Sequence, residues 1–135
     1  MNNRIRIYLY ICISVFLGIT TISCNKNDKN DESKLVINEV LIKNVSNFQD
    51  DYGQHSAWIE IFNKSYGSEN LAACYLKVKN DLGEKTYFIP RGDVLTIVKP
   101  RQHTLFWADG QPNRGTFHLN FVLDAESDNY IELLD

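Results

Sequence analysis

The chain has 135 residues, of which 44% are hydrophobic, and 14 Lys and Arg against 17 Asp and Glu give a net charge of −3. This length forms one compact domain and excludes a multidomain enzyme. The mild negative charge supplies no basic surface for a phosphate backbone, so nucleic acid is not an expected partner. With 7 Gly and 3 Pro, the composition also excludes collagen-like and low-complexity chains.

The first residues have the charge pattern of a secretion signal. Arg4 and Arg6 precede an uncharged apolar run over 7–22, which is shorter than the ~20 apolar residues that a membrane-spanning helix requires. The pattern therefore predicts cleavage after secretion. An uncleaved anchor helix is the alternative, and both interpretations place the rest of the chain outside the cytoplasm.

The segment from Arg4 to Cys24, with short polar residues directly before the cysteine, resembles the signal of bacterial lipoproteins. The resemblance implies that residues 1–23 are a signal peptide and that Cys24 carries the lipid. Such a residue holds a protein firmly at a bilayer, because two lipid signals suffice for stable anchoring. Asn25 stands where Asp commonly marks retention in the inner membrane, which implies an outer-membrane lipoprotein, periplasmic or surface-exposed.

The remaining chain divides into a tether and a β-rich domain. Apart from Cys24, residues 24–34 are all Asn, Lys, Asp, Glu and Ser, which predicts a disordered tether. From 35 to 135, β-branched and aromatic runs alternate with turn residues, and several have the period of two that half-buried strands show. We therefore predict an all-β sandwich. The predicted strands are Leu35–Ile37, Ala57–Phe62, Cys74–Val78, Thr86–Ile89, Val94–Val98, Thr104–Trp107, Phe117–Leu123 and Tyr130–Leu134.

A series of short motifs runs through this domain. In chain order they are Ile37-Asn38-Glu39-Val40, Trp58-Ile59-Glu60-Ile61-Phe62-Asn63, Leu71 to Leu76, Phe88-Ile89-Pro90 with Gly92, Trp107-Ala108-Asp109, and His118-Leu119-Asn120-Phe121 with Leu123. Together they resemble the bacterial lamin-tail domain over about 35–135. The resemblance implies an immunoglobulin-like β-sandwich that is non-catalytic and binds a protein or a glycan. Ala73-Cys74 stands where the family commonly has Gly-Trp, so Cys74 is expected to fill part of the space of a core aromatic.

The resemblance also predicts an open sheet edge at the C-terminal strand. Lamin-tail domains continue past this strand with another hairpin partner, whereas the sequence stops at Asp135, so the sandwich is expected to lack its last strand. An unpaired edge offers backbone N–H and C=O groups to an extended chain, which favours strand addition. A fragment of a longer gene is the alternative. The residues predicted to bind a partner are Tyr130, Ile131, Glu132, Leu133 and Leu134.

No local group of residues predicts catalysis, a metal or a cofactor. His55, His103 and His118 lie far apart without the spacing of zinc ligands, and His118 is expected to be a packed, hydrogen-bonded side chain. Once Cys12 leaves with the signal and Cys24 is lipidated, Cys74 has no cysteine to pair with. We therefore expect Cys74 to be a buried small side chain rather than a reactive thiol.

Acidic and aromatic residues are likewise predicted to be structural. Asp50 and Asp51 are expected to be solvated loop acids, because no calcium-loop pattern surrounds them. Glu39 and Glu60 lie at strand motif positions and are expected to hydrogen-bond a loop. An exposed aromatic patch is the alternative to core packing for four residues, namely Tyr87, Phe106, Trp107 and Tyr130.

Three functional hypotheses remain. The preferred one is a non-enzymatic, lipid-anchored envelope protein whose lamin-tail-like domain binds an envelope protein or a glycan. The second is an accessory domain, or fragment, of a secreted hydrolase such as a nuclease or phosphatase. The third is a purely structural envelope lipoprotein. The sequence alone does not separate the first from the third.

Overall fold

A computed structural model describes residues 33–135. The signal peptide over 1–23, the lipid-bearing Cys24 and most of the tether over 24–34 lie outside the described residues, so these stay predictions. No helix among residues 33–135 is long and apolar enough to cross a membrane.

The described chain is built from short antiparallel strands, which confirms the predicted all-β fold. Two single turns of 3-10 helix, Val94–Thr96 and Pro112–Arg114, lie between them. The strands are β1 Leu35–Leu41, β2 Trp58–Asn63, β3 Glu69–Asn70, β4 Tyr75–Asn80, β5 Gly83–Phe88, β6 Ile97–Val98, β7 His103–Trp107 and β8 Tyr130–Leu134.

Two three-stranded sheets make up the immunoglobulin-like sandwich. One has the strand order β1-β2-β7 and the other β5-β4-β8, while β3 and β6 pair as a short ribbon. Apolar residues from both sheets form one core, which includes Ile61 and Phe106 from the first sheet and Leu76 and Val78 from the second. Burial of this apolar surface is the main force that stabilises the fold.

The period of two in the sequence sets which side chains enter the core. In β4, Leu76 and Val78 are buried whereas Tyr75 and Lys79 are exposed, as expected for a sheet with one solvated face. The central strand β2 is buried at most positions, which explains its dense apolar sequence around Ile59.

A buried asparagine ends β2 and ties three segments together. Asn63 is fully buried, and the two protons of its side-chain Nδ2 are shared among the carbonyls of Gly67 at 2.7 Å, Val98 at 3.0 Å and Lys99 at 3.2 Å. Its Oδ1 accepts a hydrogen bond from the Ser65 amide at 2.9 Å. The side chain therefore satisfies backbone groups that would otherwise be buried without partners.

The predicted strand Val94–Val98 is wrong over most of its length. Val94–Thr96 forms a 3-10 turn, and only the two residues of β6 are extended. The physical reason is the Asp93 side chain, whose Oδ1 accepts a hydrogen bond from the Leu95 amide at 2.9 Å and caps the turn. Val94 and Leu95 are exposed as a result.

The predicted strand Phe117–Leu123 is also wrong, although its apolar residues are buried. The segment makes two isolated bridges, one from His118 to Trp107 and one from Val122 to Asp109, instead of a continuous ladder. Leu119 and Phe121 still enter the core. The alternating hydrophobicity correctly predicts which side chains of this segment are buried. It does not predict a strand, because pairing also requires a neighbouring strand with free backbone groups along its length.

The departure from the Gly-Trp pattern has a visible consequence. Ala73 adopts a positive φ of 73°, a conformation that glycine reaches at no steric cost and alanine does not. Cys74 packs against the core, as the sequence predicts, but it is only partly buried. Burial is the first cause that raises the pKa of its thiol, and the charge of Asp135 is the second. The thiol is therefore not activated for nucleophilic chemistry.

Candidate functional site

Strand β8 lies at the end of its sheet and pairs with β4 in an uninterrupted antiparallel register. The register places Leu76 opposite Leu133, Lys77 opposite Glu132 and Val78 opposite Ile131. Two of the β8 residues therefore point inward. Ile131 and Leu133 pack against the core, while β8 residues at the alternate positions face outward.

The second edge of β8 has no pairing partner in the described part of the chain. The sheet order β5-β4-β8 leaves this edge outermost. No backbone hydrogen bond joins residues 130–134 to anything in 33–135 other than β4. Strand β1 comes within 8 Å of β8 between Cα atoms but pairs with β2 alone. Among residues 33–135, the outer N–H and C=O groups of β8 therefore have no backbone partner, which is the feature of an edge strand that can accept another strand.

Two of the other edge strands, β1 and β5, carry features that discourage strand addition, whereas β8 does not. Strand β1 has an irregular register between Ile37 and Glu39, and a bulge of this kind twists an edge away from incoming strands. Strand β5 carries the adjacent charged residues Glu84 and Lys85. Strand β8 is regular over its five residues, with Glu132 as its single charged side chain.

An exposed apolar row crosses the outer face of the same sheet. Phe88, Tyr75 and Leu134 are cross-strand neighbours in β5, β4 and β8, and they are 45%, 38% and 41% exposed. The rings of Tyr75 and Phe88 lie 5.2 Å apart between centroids. The row runs up to the free edge, so a strand added to β8 would lengthen it. The sequence alone does not indicate this row, because the row depends on the strand register; the one available signal is that Tyr75 alternates in step with the exposed Lys79 along β4.

Beside this row lies a charged row centred on Lys77. The Lys77 Nζ is 3.0 Å from Glu84 Oε1 and 3.8 Å from Glu132 Oε2, so the lysine bridges β5 and β8. The hydrogen bond with Glu84 and then the charge of Glu84 raise the pKa of Lys77, with smaller contributions from Glu132 and Tyr130. Lys77 is therefore a permanent cation on this face.

A second polar site connects two loops through buried charges. Asp50 and Asp109 carry nearly inaccessible side chains, and Arg114 Nη1 lies 3.5 Å from Asp50 Oδ2 and 3.3 Å from Asp109 Oδ2. His118 Nδ1 donates a hydrogen bond to Asp109 Oδ2 at 2.8 Å. The guanidinium also lies 4.6 Å from the ring centroid of Tyr52. We call these residues the Asp50–Arg114 network.

The Asp50–Arg114 network resembles a metal site in composition but is already saturated. Ligand atoms of Asp50, Asp109 and His118 lie within 4.8 Å of one another. However, Arg114 supplies the positive charge, and the Asp50 Oδ1 accepts hydrogen bonds from the amides of Tyr52 at 2.9 Å and Gln54 at 2.7 Å. The chemistry of the network is therefore that of a structural clamp between two loops.

The structure corrects several expectations about single residues. Asp50 is a buried partner of Arg114, not a solvated loop acid. Glu60 does not bond a loop, because its Oε1 accepts a hydrogen bond at 2.6 Å from Asn38 on the neighbouring strand. His118 is packed and hydrogen-bonded, as predicted.

The four aromatic residues weighed as an exposed patch do not form one. Phe106 and Tyr87 belong to the core, and Tyr87 Oη donates a hydrogen bond to the Thr116 carbonyl at 2.9 Å. Burial raises the pKa of Tyr87. Tyr130 is 61% exposed on β8. Of these four residues, only Tyr130 is largely exposed, and it lies in β8.

Comparison with known families agrees with this architecture. The family model described as Lamin Tail Domain matches residues 28–135, which is most of the chain. The chain belongs to the lamin tail domain family. Members of this family are immunoglobulin-like, non-catalytic β-sandwich modules of the binding type. No curated protein and no solved structure matches the chain significantly.

Proposed function

We propose that this protein is a lipoprotein of the outer membrane, periplasmic or surface-exposed, whose lamin tail domain binds another envelope protein by strand addition at β8. Catalysis and nucleic-acid binding are not part of the proposal. The anchor rests on the signal pattern that ends at Cys24. The binding role rests on one structural observation, the regular edge of β8 that no strand of residues 33–135 pairs with.

Strand addition suits this edge for two reasons. Backbone hydrogen bonds to an incoming strand supply affinity, and the side chains on either face supply selectivity. The apolar row of Phe88, Tyr75 and Leu134 ends at the same edge, so an added strand gains apolar contact as well as hydrogen bonds. A glycan would use the aromatic faces but not the unpaired backbone, so we favour a protein over a glycan.

Site-specific photo-crosslinking in the cells that make the protein tests this binding role. A photoreactive phenylalanine analogue replaces Tyr130, which is 61% exposed on β8, or Tyr66, which is 92% exposed in the loop after β2. We expect a discrete crosslinked protein from position 130 and none from position 66. No product at position 130, or the same products from both positions, would contradict binding at β8.

A further inference from the structure

The paired edge of β8 indicates which strand its free edge accepts. We propose, building on strand addition at β8, that the partner is an extended peptide segment with a basic residue opposite Glu132 and aliphatic residues opposite Ile131 and Leu133. The partner class is therefore a polypeptide strand of alternating aliphatic and basic residues. This pattern follows from the faces of the sheet and from the charge at the centre of β8.

The face of the sheet to which each side chain points determines where the added strand carries aliphatic residues. Side chains directly opposite one another in a sheet point to the same face, so a residue added beside Ile131 or Leu133 points inward. Strand β4, which pairs with the other edge of β8, carries the aliphatic residues Val78 and Leu76 opposite Ile131 and Leu133. An added strand with polar residues at these two positions would bury them beside the core without hydrogen-bond partners, which is costly.

Glu132 determines the basic position. Its Oε2 lies 3.8 Å from Lys77 Nζ, which is closer to Glu84 at 3.0 Å, and its Oε1 accepts a 3.3 Å hydrogen bond from Tyr130 Oη. The side chain remains 31% exposed. A lysine or arginine on the added strand would therefore face a carboxylate that Lys77 neutralises only in part, and opposite charges across strands are stabilising.

A second copy of this chain does not fit the same pattern. In a symmetric antiparallel pair that sets Ile131 against Leu133 of the other copy, Glu132 lies directly opposite its own counterpart. Like charges opposite one another destabilise a pair of strands. The occupant of the β8 edge is therefore a different polypeptide and not a second copy of this chain.

The test uses two synthetic peptides and the full-length chain kept in detergent. One peptide has the β4 sequence Tyr-Leu-Lys-Val-Lys-Asn, and the other has Glu in place of its first Lys. Binding is followed by nuclear magnetic resonance shifts of the backbone amides of residues 130–134, which also locate the peptide. We expect the Lys peptide to bind about five-fold more tightly than the Glu peptide, as measured cross-strand charge pairs indicate.

Variants of Glu132 provide the matched controls. Glu132→Lys should reverse the preference between the two peptides, and Glu132→Gln should abolish it without placing a second cation beside Lys77. Peptides N-methylated at alternate residues test the backbone requirement, because only the pattern that blocks the edge facing β8 should prevent binding. Unfolding of the two variants is compared with that of the parent chain to confirm that the sheet is intact.

The outcomes distinguish a failure of the basic preference from a failure of strand addition itself. Equal binding of both peptides at β8 would overturn the basic preference and leave strand addition standing. Shifts that both N-methylation patterns leave unchanged, or no shift of residues 130–134 with either peptide, would overturn strand addition and with it the proposed binding role.

Discussion

Replacing Asn63 with Ala is expected to lower the free energy of unfolding by about 3 kcal/mol or more, because several buried backbone groups lose their partners together. The two Nδ2 protons of Asn63 are shared among the carbonyls of Gly67, Val98 and Lys99, and its Oδ1 accepts from the Ser65 amide. A buried group without a partner costs about 1–3 kcal/mol, and the Asn63 side chain that partners these groups is fully buried.

Chemical denaturation of the wild type and the variant measures this loss. The control is Asn113→Ala, since Asn113 is an exposed asparagine in the second 3-10 turn and its replacement should change stability by less than about 0.5 kcal/mol. A loss below about 1 kcal/mol for Asn63→Ala would mean that the carbonyls are satisfied in another way, and the described role of Asn63 would be wrong.

Cys24→Ala is expected to move the protein completely from the membrane fraction to the soluble fraction. The proposed anchor consists of acyl chains on this one residue, and each buried CH₂ contributes about 0.8 kcal/mol to membrane binding. Fractionation with an alkaline wash, followed by immunodetection, measures the distribution.

Cys74→Ala is the matched control for the anchor. This variant also removes one thiol, but Cys74 packs against the core of the sandwich, so the protein should stay in the membrane fraction. Retention of Cys24→Ala in the washed membranes would contradict the anchor. Release of both variants would point to a folding defect, and the stability of each is therefore measured alongside.

The strands with a clear period of two could be predicted from the sequence. The alternation of Leu76, Lys77 and Val78 predicted β4 and its buried face, because a sheet with one solvated side requires that pattern, although the strand runs to Asn80 rather than ending at Val78. The same rule failed for Val94–Thr96, where the local bond from Asp93 to the Leu95 amide favours a turn. Hydrogen bonds from a side chain to nearby backbone groups compete with strand formation, and the hydrophobic periodicity of the sequence does not show them.

The sites depend on contacts between distant parts of the chain, and the sequence did not indicate these. Asp50 is buried because Arg114, 64 residues later, reaches its carboxylate. Neither residue has a local motif. The apolar row on the outer face likewise arises from the register that aligns Tyr75 with Phe88 and Leu134. By contrast, β8 could be predicted as a strand because Ile131 and Leu133 alternate with outward residues.

The intact mass of the protein, extracted in detergent from the cells that make it, tests most directly the claim that a lamin tail domain is tethered by lipid with its β8 edge free. We predict the mass of residues 24–135 plus a diacylglycerol and an acyl chain. A mass that retains residues 1–23 without lipid would contradict the anchor. A mass larger than the predicted one by further residues would place β8 within a longer chain and contradict the free edge.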